Sequence, residues 1–166
     1  MSSFPTTARR VSALATVALA GVLASCSQPA QEKYVAELSA ANEVPSNTST
    51  AVGRVVLLVN REGTGAEYSV QVDGLSAGIQ GAHFHRGAVG ANGPIVLSMF
   101  FNSSGVATNA VTPGTTDLEI NKAIGRTVTK DQLDAIISDL RAGNVYANVH
   151  TPTRPGGEVR GQMVRQ

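Results

Sequence analysis

Residues 52–73 read VGRVVLLVNREGTGAEYSVQVD, and this stretch decides the fold. Its first part, Val52–Val59, is a run of valine and leucine that favours a strand. Its last part, Tyr68–Val72, alternates apolar and polar residues, which indicates a strand with one buried face. The residues between them include REGTG at 61–65, which is typical of a turn. The stretch therefore predicts a β-hairpin.

The rest of the chain repeats this pattern of short strands separated by turns rich in glycine and proline. Further strands are predicted at residues 34–39, 81–86, 94–101, 145–150 and 158–164, with turns at 74–78, 87–93 and 151–157. Aromatic residues make up only 4% of the chain and tryptophan is absent, so the core must be built from aliphatic side chains. Seven short strands of this kind predict an all-β Greek-key sandwich.

One segment has helical spacing instead. Its apolar residues recur at positions i, i+3, i+4 and i+7, as on one face of a helix: Leu133, Ile136, Ile137 and Leu140. Thr129 and Gln132 fit a capping box at its start. These features predict a short amphipathic helix that covers an end or an edge of the sheet. The preceding residues, 112–128, give no readable pattern.

The first 25 residues are expected to be a signal peptide. Arg9 and Arg10 precede an apolar run of 14 residues, Val11–Ala24, which is shorter than the roughly 20 residues of a membrane-spanning helix. The following sequence, Leu-Ala-Ser-Cys at 23–26, resembles the bacterial lipobox. That resemblance implies cleavage before Cys26 and attachment of fatty acids such as palmitate to this residue. An ordinary secretory signal with an incidental cysteine is the alternative.

This interpretation divides the chain into a signal peptide (1–25), a polar tether (26–33) and a single domain (34–166). Cleavage would leave 11 basic and 12 acidic residues, a balance that provides no basic surface for nucleic acid. The expected location is the bacterial cell envelope outside the cytoplasm, facing the periplasm or on the cell surface. The expected contact with the membrane is the lipid on Cys26.

Three histidines are the residues most suited to chemistry. His83 and His85 alternate in one predicted strand, so their side chains share a face with Cα atoms roughly 6.5 to 7 Å apart. His150 ends another strand. Imidazole nitrogen suits copper and zinc, and three such ligands would leave positions open for a small ligand. The alternative is a hydrogen-bonded polar cluster that ties loop 86–93 to loop 151–157.

Other catalytic patterns are missing from the sequence. With Cys26 committed to lipid there is no thiol nucleophile, and there is no Gly-x-Ser-x-Gly elbow. The glycine-rich stretch at 87–93 leads into Pro94 and a strand, where a phosphate-binding loop would lead into a helix. Four carboxylates are far apart in sequence and are expected to be solvated: Glu37, Glu43, Asp73 and Glu158. No catalytic residue is therefore assigned.

Several segments resemble the CHRD (chordin) domain. They are LSAANEVP (38–45), GAHFHRG (81–87), NGPIV (92–96), VYANVHT (145–151) and PGGEVRGQ (155–162). Together they extend from about Tyr34 to Val164. The resemblance implies an extracytoplasmic, non-enzymatic binding module that recognises a protein or glycan partner through its loops.

A second stretch, VDGLSAGIQGAHFH at 72–85, resembles the part of Cu/Zn superoxide dismutase in which a Gly-Leu turn leads into a copper-binding His-x-His. This resemblance implies an immunoglobulin-like or superoxide-dismutase-like sandwich. It also implies that His83, His85 and His150 bind copper or zinc and that Arg160 lies beside the site. A redox-active, superoxide-dismutase-like protein is one function that this arrangement would allow. The chain lacks the bridging histidine, the zinc subsite and the cysteine pair of that family.

Overall fold

A computed structural model describes residues 31–99, 120–123 and 128–166. The predicted signal peptide and Cys26 lie outside these residues. The described part contains a short 3-10 turn at Ala40–Asn42 and one helix, α1, at Lys130–Arg141. Its strands are β1 Glu32–Ser39, β2 Val52–Val59, β3 Ala66–Asp73, β4 Gly81–Arg86, β5 Ile95–Ser98, β6 Ile120–Ala123, β7 Val145–Thr151, β8 Arg154–Gln162 and β9 Val164–Arg165.

The strands form one antiparallel sheet in the order β5-β4-β7-β8-β1-β2-β3-β6, with β9 paired to β1. The sheet curls into a half-barrel. Tyr68 on β3 and Phe84 on β4 show this, because their ring centroids lie 5.6 Å apart although the two strands are near opposite ends of the sheet. The Tyr68 hydroxyl also donates a hydrogen bond to the carbonyl of Met99 across the core. The predicted all-β sandwich is therefore confirmed, with both of its layers supplied by one curled sheet.

The hairpin predicted from residues 52–73 is present. β2 and β3 pair without interruption from Val52 opposite Asp73 to Val59 opposite Ala66. The turn closes with a hydrogen bond from the Asn60 amide to the Gly65 carbonyl, 2.9 Å long. Alternate residues of both strands are buried in the core, as their period of two requires.

The predicted helix and its cap are also confirmed. The Thr129 side chain accepts a hydrogen bond from the Gln132 amide, and the Gln132 side chain accepts one from the Thr129 amide. The four apolar residues predicted for one face are all buried in the main core. The helix therefore packs against the inner face of the curled sheet. Within the described residues, no helix has the length and apolar character needed to cross a membrane.

The structure differs from the predicted elements in three places. β1 begins at Glu32, so the last two residues of the predicted tether belong to the sheet. β8 begins at Arg154, inside the segment predicted as a loop. Arg154 already pairs with Thr151, so the turn between β7 and β8 is only two residues long. The register between β7 and β8 then shifts, so Pro155 and the glycines after it form a bulge that glycine and proline tolerate well. In addition, β6 lies within the unreadable stretch before the helix.

Candidate metal centre

The three histidines lie on neighbouring antiparallel strands, β4 and β7. His83 and His85 flank Phe84, which is buried in the core, so both histidines lie on the other face of β4. The register places His83 opposite Asn148 on β7. His150 is two residues further along β7 and therefore lies on the same face, diagonally across from His83.

The three rings converge on one point of this face. Ring centroids lie 4.8 Å apart for His83 and His150, 5.6 Å for His83 and His85, and 6.3 Å for His85 and His150. One nitrogen of each ring lies within 4.8 Å of the corresponding nitrogen of the other two. Two nitrogens bound to one ion at about 2.1 Å can lie no more than about 4.2 Å apart. The widest pair lies beyond this limit, so all three nitrogens can bind one ion only if a ring rotates.

Two of the rings are fixed by hydrogen bonds to backbone carbonyls. Nδ1 of His85 donates to the carbonyl of Gly93 at 2.8 Å, and Nδ1 of His150 donates to the carbonyl of Pro155 at 3.0 Å. The first bond ties β4 to the loop before β5, as the polar-cluster interpretation expected, and the second ties β7 to the bulge of β8. They also place the proton on Nδ1, which leaves the lone pair on Nε2 of each ring.

The nitrogens that carry these lone pairs face the cluster. Nε2 of His150 lies 3.0 Å from Nδ1 of His83 and 2.9 Å from Oδ1 of Asn148. A lone pair on this Nε2 requires the Asn148 amide group to be turned over, so that its nitrogen donates to the ring. Nε2 of His85 is buried and has no hydrogen-bond partner among the residues that the structure describes. A buried polar atom without a partner is costly, so this nitrogen is available for a ligand.

Burial keeps the three rings uncharged. It lowers the pKa of His83 to about 4, assisted by the neighbouring His150 and His85. Burial likewise lowers the pKa of His85 and of His150 below the usual value. The neutral imidazole is the form that binds a metal ion.

Arg160, which the resemblance to superoxide dismutase placed beside the site, lies on β8 and contacts the ring of Tyr146. The Tyr146 ring stacks on His85 with a centroid distance of 4.8 Å and an interplanar angle of 8°. The Arg160 guanidinium carbon lies 3.4 Å from the centroid of the same ring. β7, which carries Tyr146, runs between the strands of the other two residues. Arg160 is therefore one aromatic ring away from His85.

A pocket of about 420 Å³ opens over the cluster. The three histidines form its floor, and its other lining residues are Gln80, Gly81, Ile95 and Pro155. No charged side chain lines it within the described part of the chain. A ligand that approached the cluster through this pocket would meet a mainly apolar surface.

The prediction that the four carboxylates are solvated is wrong for two of them. Glu37 and Asp73 are exposed, but Glu43 is 6% exposed and Glu158 is fully buried. Glu158 accepts hydrogen bonds from Ser49, Ser76 and Thr151. These four residues are named the Glu158 cluster below. They come from distant parts of the chain, so no local pattern in the sequence marks them.

Glu43 lies in the loop after β1 and close to the bulge of β8. A side chain at Gly157 would collide with its carboxyl group, since a Cβ there would lie 2.5 Å from Oε1 of Glu43. Burial raises the pKa of Glu43 to about 7, although the positive charge of Arg160 opposes this shift. Oε1 has no hydrogen-bond partner in the part of the chain that the structure describes.

Comparison with known proteins gives one match. The family model for the CHRD domain matches residues 34–163, which is most of the chain. No curated protein and no solved structure matches. The similarity to Cu/Zn superoxide dismutase therefore rests on residues 72–85 and gains no support from these comparisons.

Proposed function

The chain belongs to the CHRD domain family, and we propose that it is a binding module that holds one copper or zinc ion between His83, His85 and His150. The observation that carries this proposal is that one nitrogen of each ring lies within 4.8 Å of one nitrogen of the other two. Backbone carbonyls occupy Nδ1 of His85 and His150, which leaves Nε2 of each ring for a ligand. Carbonyl groups orient metal-binding histidines in the same way in many metal sites.

The proposed donor set consists of Nε2 of His85, Nε2 of His150 and one ring nitrogen of His83. If that nitrogen is Nδ1, the proton that it shares with His150 in the hydrogen bond moves to Nε2 of His83 when the ion binds. Three nitrogen ligands leave at least one coordination position open. The pocket over the cluster is the space in which that position would lie. A site of this kind can sequester an ion or present it to a small ligand.

Replacement of any one of the three histidines with alanine is expected to weaken metal binding at least about 100-fold, because loss of a ligand should exceed the cost of losing a supporting partner. The protein is produced without a histidine tag, stripped with a chelator and titrated with Zn²⁺ or copper. Binding is followed by calorimetry and by elemental analysis, and the wild type is expected to take up one ion per chain.

Gln80→Ala is the matched control, since Gln80 lines the pocket and supplies no imidazole. It should bind metal as the wild type does. Equal affinity in the wild type and in a variant without all three histidines would contradict the proposal. Circular dichroism of each variant shows whether the fold is intact.

Recognition of a protein or glycan partner through the loops is the second candidate function. Val89, in the loop between β4 and β5, is 78% exposed. The far end of this loop is held in place, because Arg160 donates a hydrogen bond to the carbonyl of Ala91 and Asn92 donates one to the carbonyl of Val44. Partner recognition of this kind would survive replacement of His83 and His85.

We further propose that the domain is tethered to a membrane of the bacterial envelope through fatty acids on Cys26. The support is the sequence at residues 23–26 and the apolar run before it. In cells grown with radiolabelled palmitate, the wild type is expected to take up label and Cys26→Ser to take up none. Ser27→Ala, which leaves the thiol in place, should keep the label. Full labelling of Cys26→Ser would refute attachment at this residue.

A further inference from the structure

A fixed positive charge lies beside the proposed metal site. Arg160 is 2% exposed, and its guanidinium group covers the Tyr146 ring that stacks on His85. Hydrogen bonds to Oδ1 of Asn92, 3.0 Å, and to the carbonyl of Ala91, 2.7 Å, hold the group in position. The charge is therefore held at a constant distance from one of the ligands.

The surrounding groups leave this charge largely uncompensated. Both hydrogen-bond partners of Arg160 are neutral, and it forms no ion pair within the residues that the structure describes. The carboxyl group that interacts with it is that of Glu43. Because burial raises the pKa of Glu43 to about 7, this group carries only part of a negative charge at neutral pH.

The ligands supply no negative charge either. The cluster of potential ligands consists of three histidines, and within the described residues no carboxylate or thiol joins it. A bound ion would therefore keep its full charge. The fixed charge that lies one aromatic ring away from His85 is a positive one.

From these observations, and resting on the proposed metal site, we propose that Arg160 makes the site favour the singly charged ion Cu(I) over the doubly charged ions Zn²⁺ and Cu²⁺. Coulomb repulsion is proportional to the product of the charges, so Arg160 repels a doubly charged ion twice as strongly as a singly charged one. Across one aromatic ring in a partly buried site, each unit of charge on the ion corresponds to about a tenfold change in affinity.

The test compares the affinities for Cu(I) and Zn²⁺ in the wild type and in Arg160→Met, which keeps an apolar side chain over Tyr146 and removes the charge. Cu(I) is maintained with ascorbate under argon and measured by competition with a chromophoric chelator. In Arg160→Met, the affinity for Zn²⁺ is expected to be about 100-fold higher than in the wild type, and the affinity for Cu(I) about tenfold higher. The midpoint potential of bound copper should fall by about 59 mV, the equivalent of the tenfold change in the ratio.

The ratio of the two affinities separates an electrostatic role of Arg160 from a structural one. A loosened site would weaken both ions alike and leave the ratio unchanged. Arg160→Lys keeps the charge and should keep the wild-type ratio. Glu43→Gln leaves Arg160 in place and removes a negative charge at pH 8, so it should shift the ratio further toward Cu(I).

Three results would overturn the inference. If the wild type binds both ions through its histidines but Arg160→Met has the wild-type ratio, Arg160 does not set the selectivity, and the metal site itself stands. If Arg160→Met does not fold, Glu43→Gln is measured at pH 8 instead. A ratio of Cu(I) to Zn²⁺ affinity equal to that of the wild type would then overturn the inference. If neither ion binds through the histidines, the proposed function and this inference both fail.

Discussion

Replacement of Glu158 with alanine is expected to lower the free energy of unfolding by about 3 to 5 kcal/mol, because each buried donor that loses its acceptor costs about 1 to 3 kcal/mol. Its carboxylate is fully buried and accepts hydrogen bonds of 2.6 Å from Ser49 Oγ, 2.8 Å from the Ser76 amide and hydroxyl, and 2.6 Å from Thr151 Oγ1. Alanine would leave these donors without their acceptor. It would also leave a cavity where the loop between β1 and β2, the loop between β3 and β4 and the turn after β7 meet.

Urea denaturation followed by circular dichroism measures this loss. Ser76→Ala is the control, because it removes one hydroxyl donor from the Glu158 cluster and should cost about 1 kcal/mol. A loss below 1 kcal/mol in Glu158→Ala would show that the cluster contributes little to stability.

The effect should depend on pH. Burial alone would raise the pKa of Glu158, but the hydrogen bonds from Ser49, Thr151 and Ser76 outweigh burial and lower the pKa below its usual value of 4.5. The carboxylate therefore stabilises the fold above pH 4.5, and this stabilisation is lost as the pH falls through the lower pKa of the folded state. The difference between the wild type and Glu158→Ala should narrow in acid.

Replacement of Gly93 with alanine is expected to cost about 3 kcal/mol or more, at the upper end of overpacking effects, and to weaken metal binding about 10- to 100-fold. A Cβ at this position would lie 1.6 Å from the carbonyl oxygen of Arg86 and 2.8 Å from its carbon. Both are backbone atoms, so the loop or the end of β4 would have to move. The Gly93 carbonyl accepts the hydrogen bond from Nδ1 of His85, and the Gly93 amide donates a hydrogen bond to the Tyr146 hydroxyl.

Thermal unfolding and metal titration on the same samples check both parts of this expectation. Gly156→Ala is the matched control, since a Cβ there would meet no atom within 4 Å. It should change the free energy of unfolding by less than about 0.5 kcal/mol. Wild-type stability and affinity in Gly93→Ala would show that the loop can shift without affecting His85.

Local sequence patterns were sufficient to predict the features that depend on neighbouring residues. Alternation predicted the β2–β3 hairpin, and helical spacing with a capping box predicted α1. The His-x-His spacing predicted that His83 and His85 share a face, because side chains two residues apart on a strand always do.

The features that the sequence did not predict depend on pairing between distant segments. The diagonal position of His150 beside His83 requires the register of β4 on β7, about 65 residues further along the chain. The burial of Glu43 and Glu158 depends on how the loops fold over the sheet. A carboxylate among buried hydroxyl groups looks the same in sequence as a carboxylate in water.

The position of β1 has a consequence for how the chain folds. This strand pairs with β2 on one side and with β8 and β9, the last strands that the structure describes, on the other. The Gln166 amide donates to the carbonyl of Lys33, so the first and last described residues lie side by side. Such a topology has a high contact order, which slows folding. A nascent chain that still lacks β8 and β9 leaves one edge of β1 unpaired, so this edge is protected only after those two strands have been made.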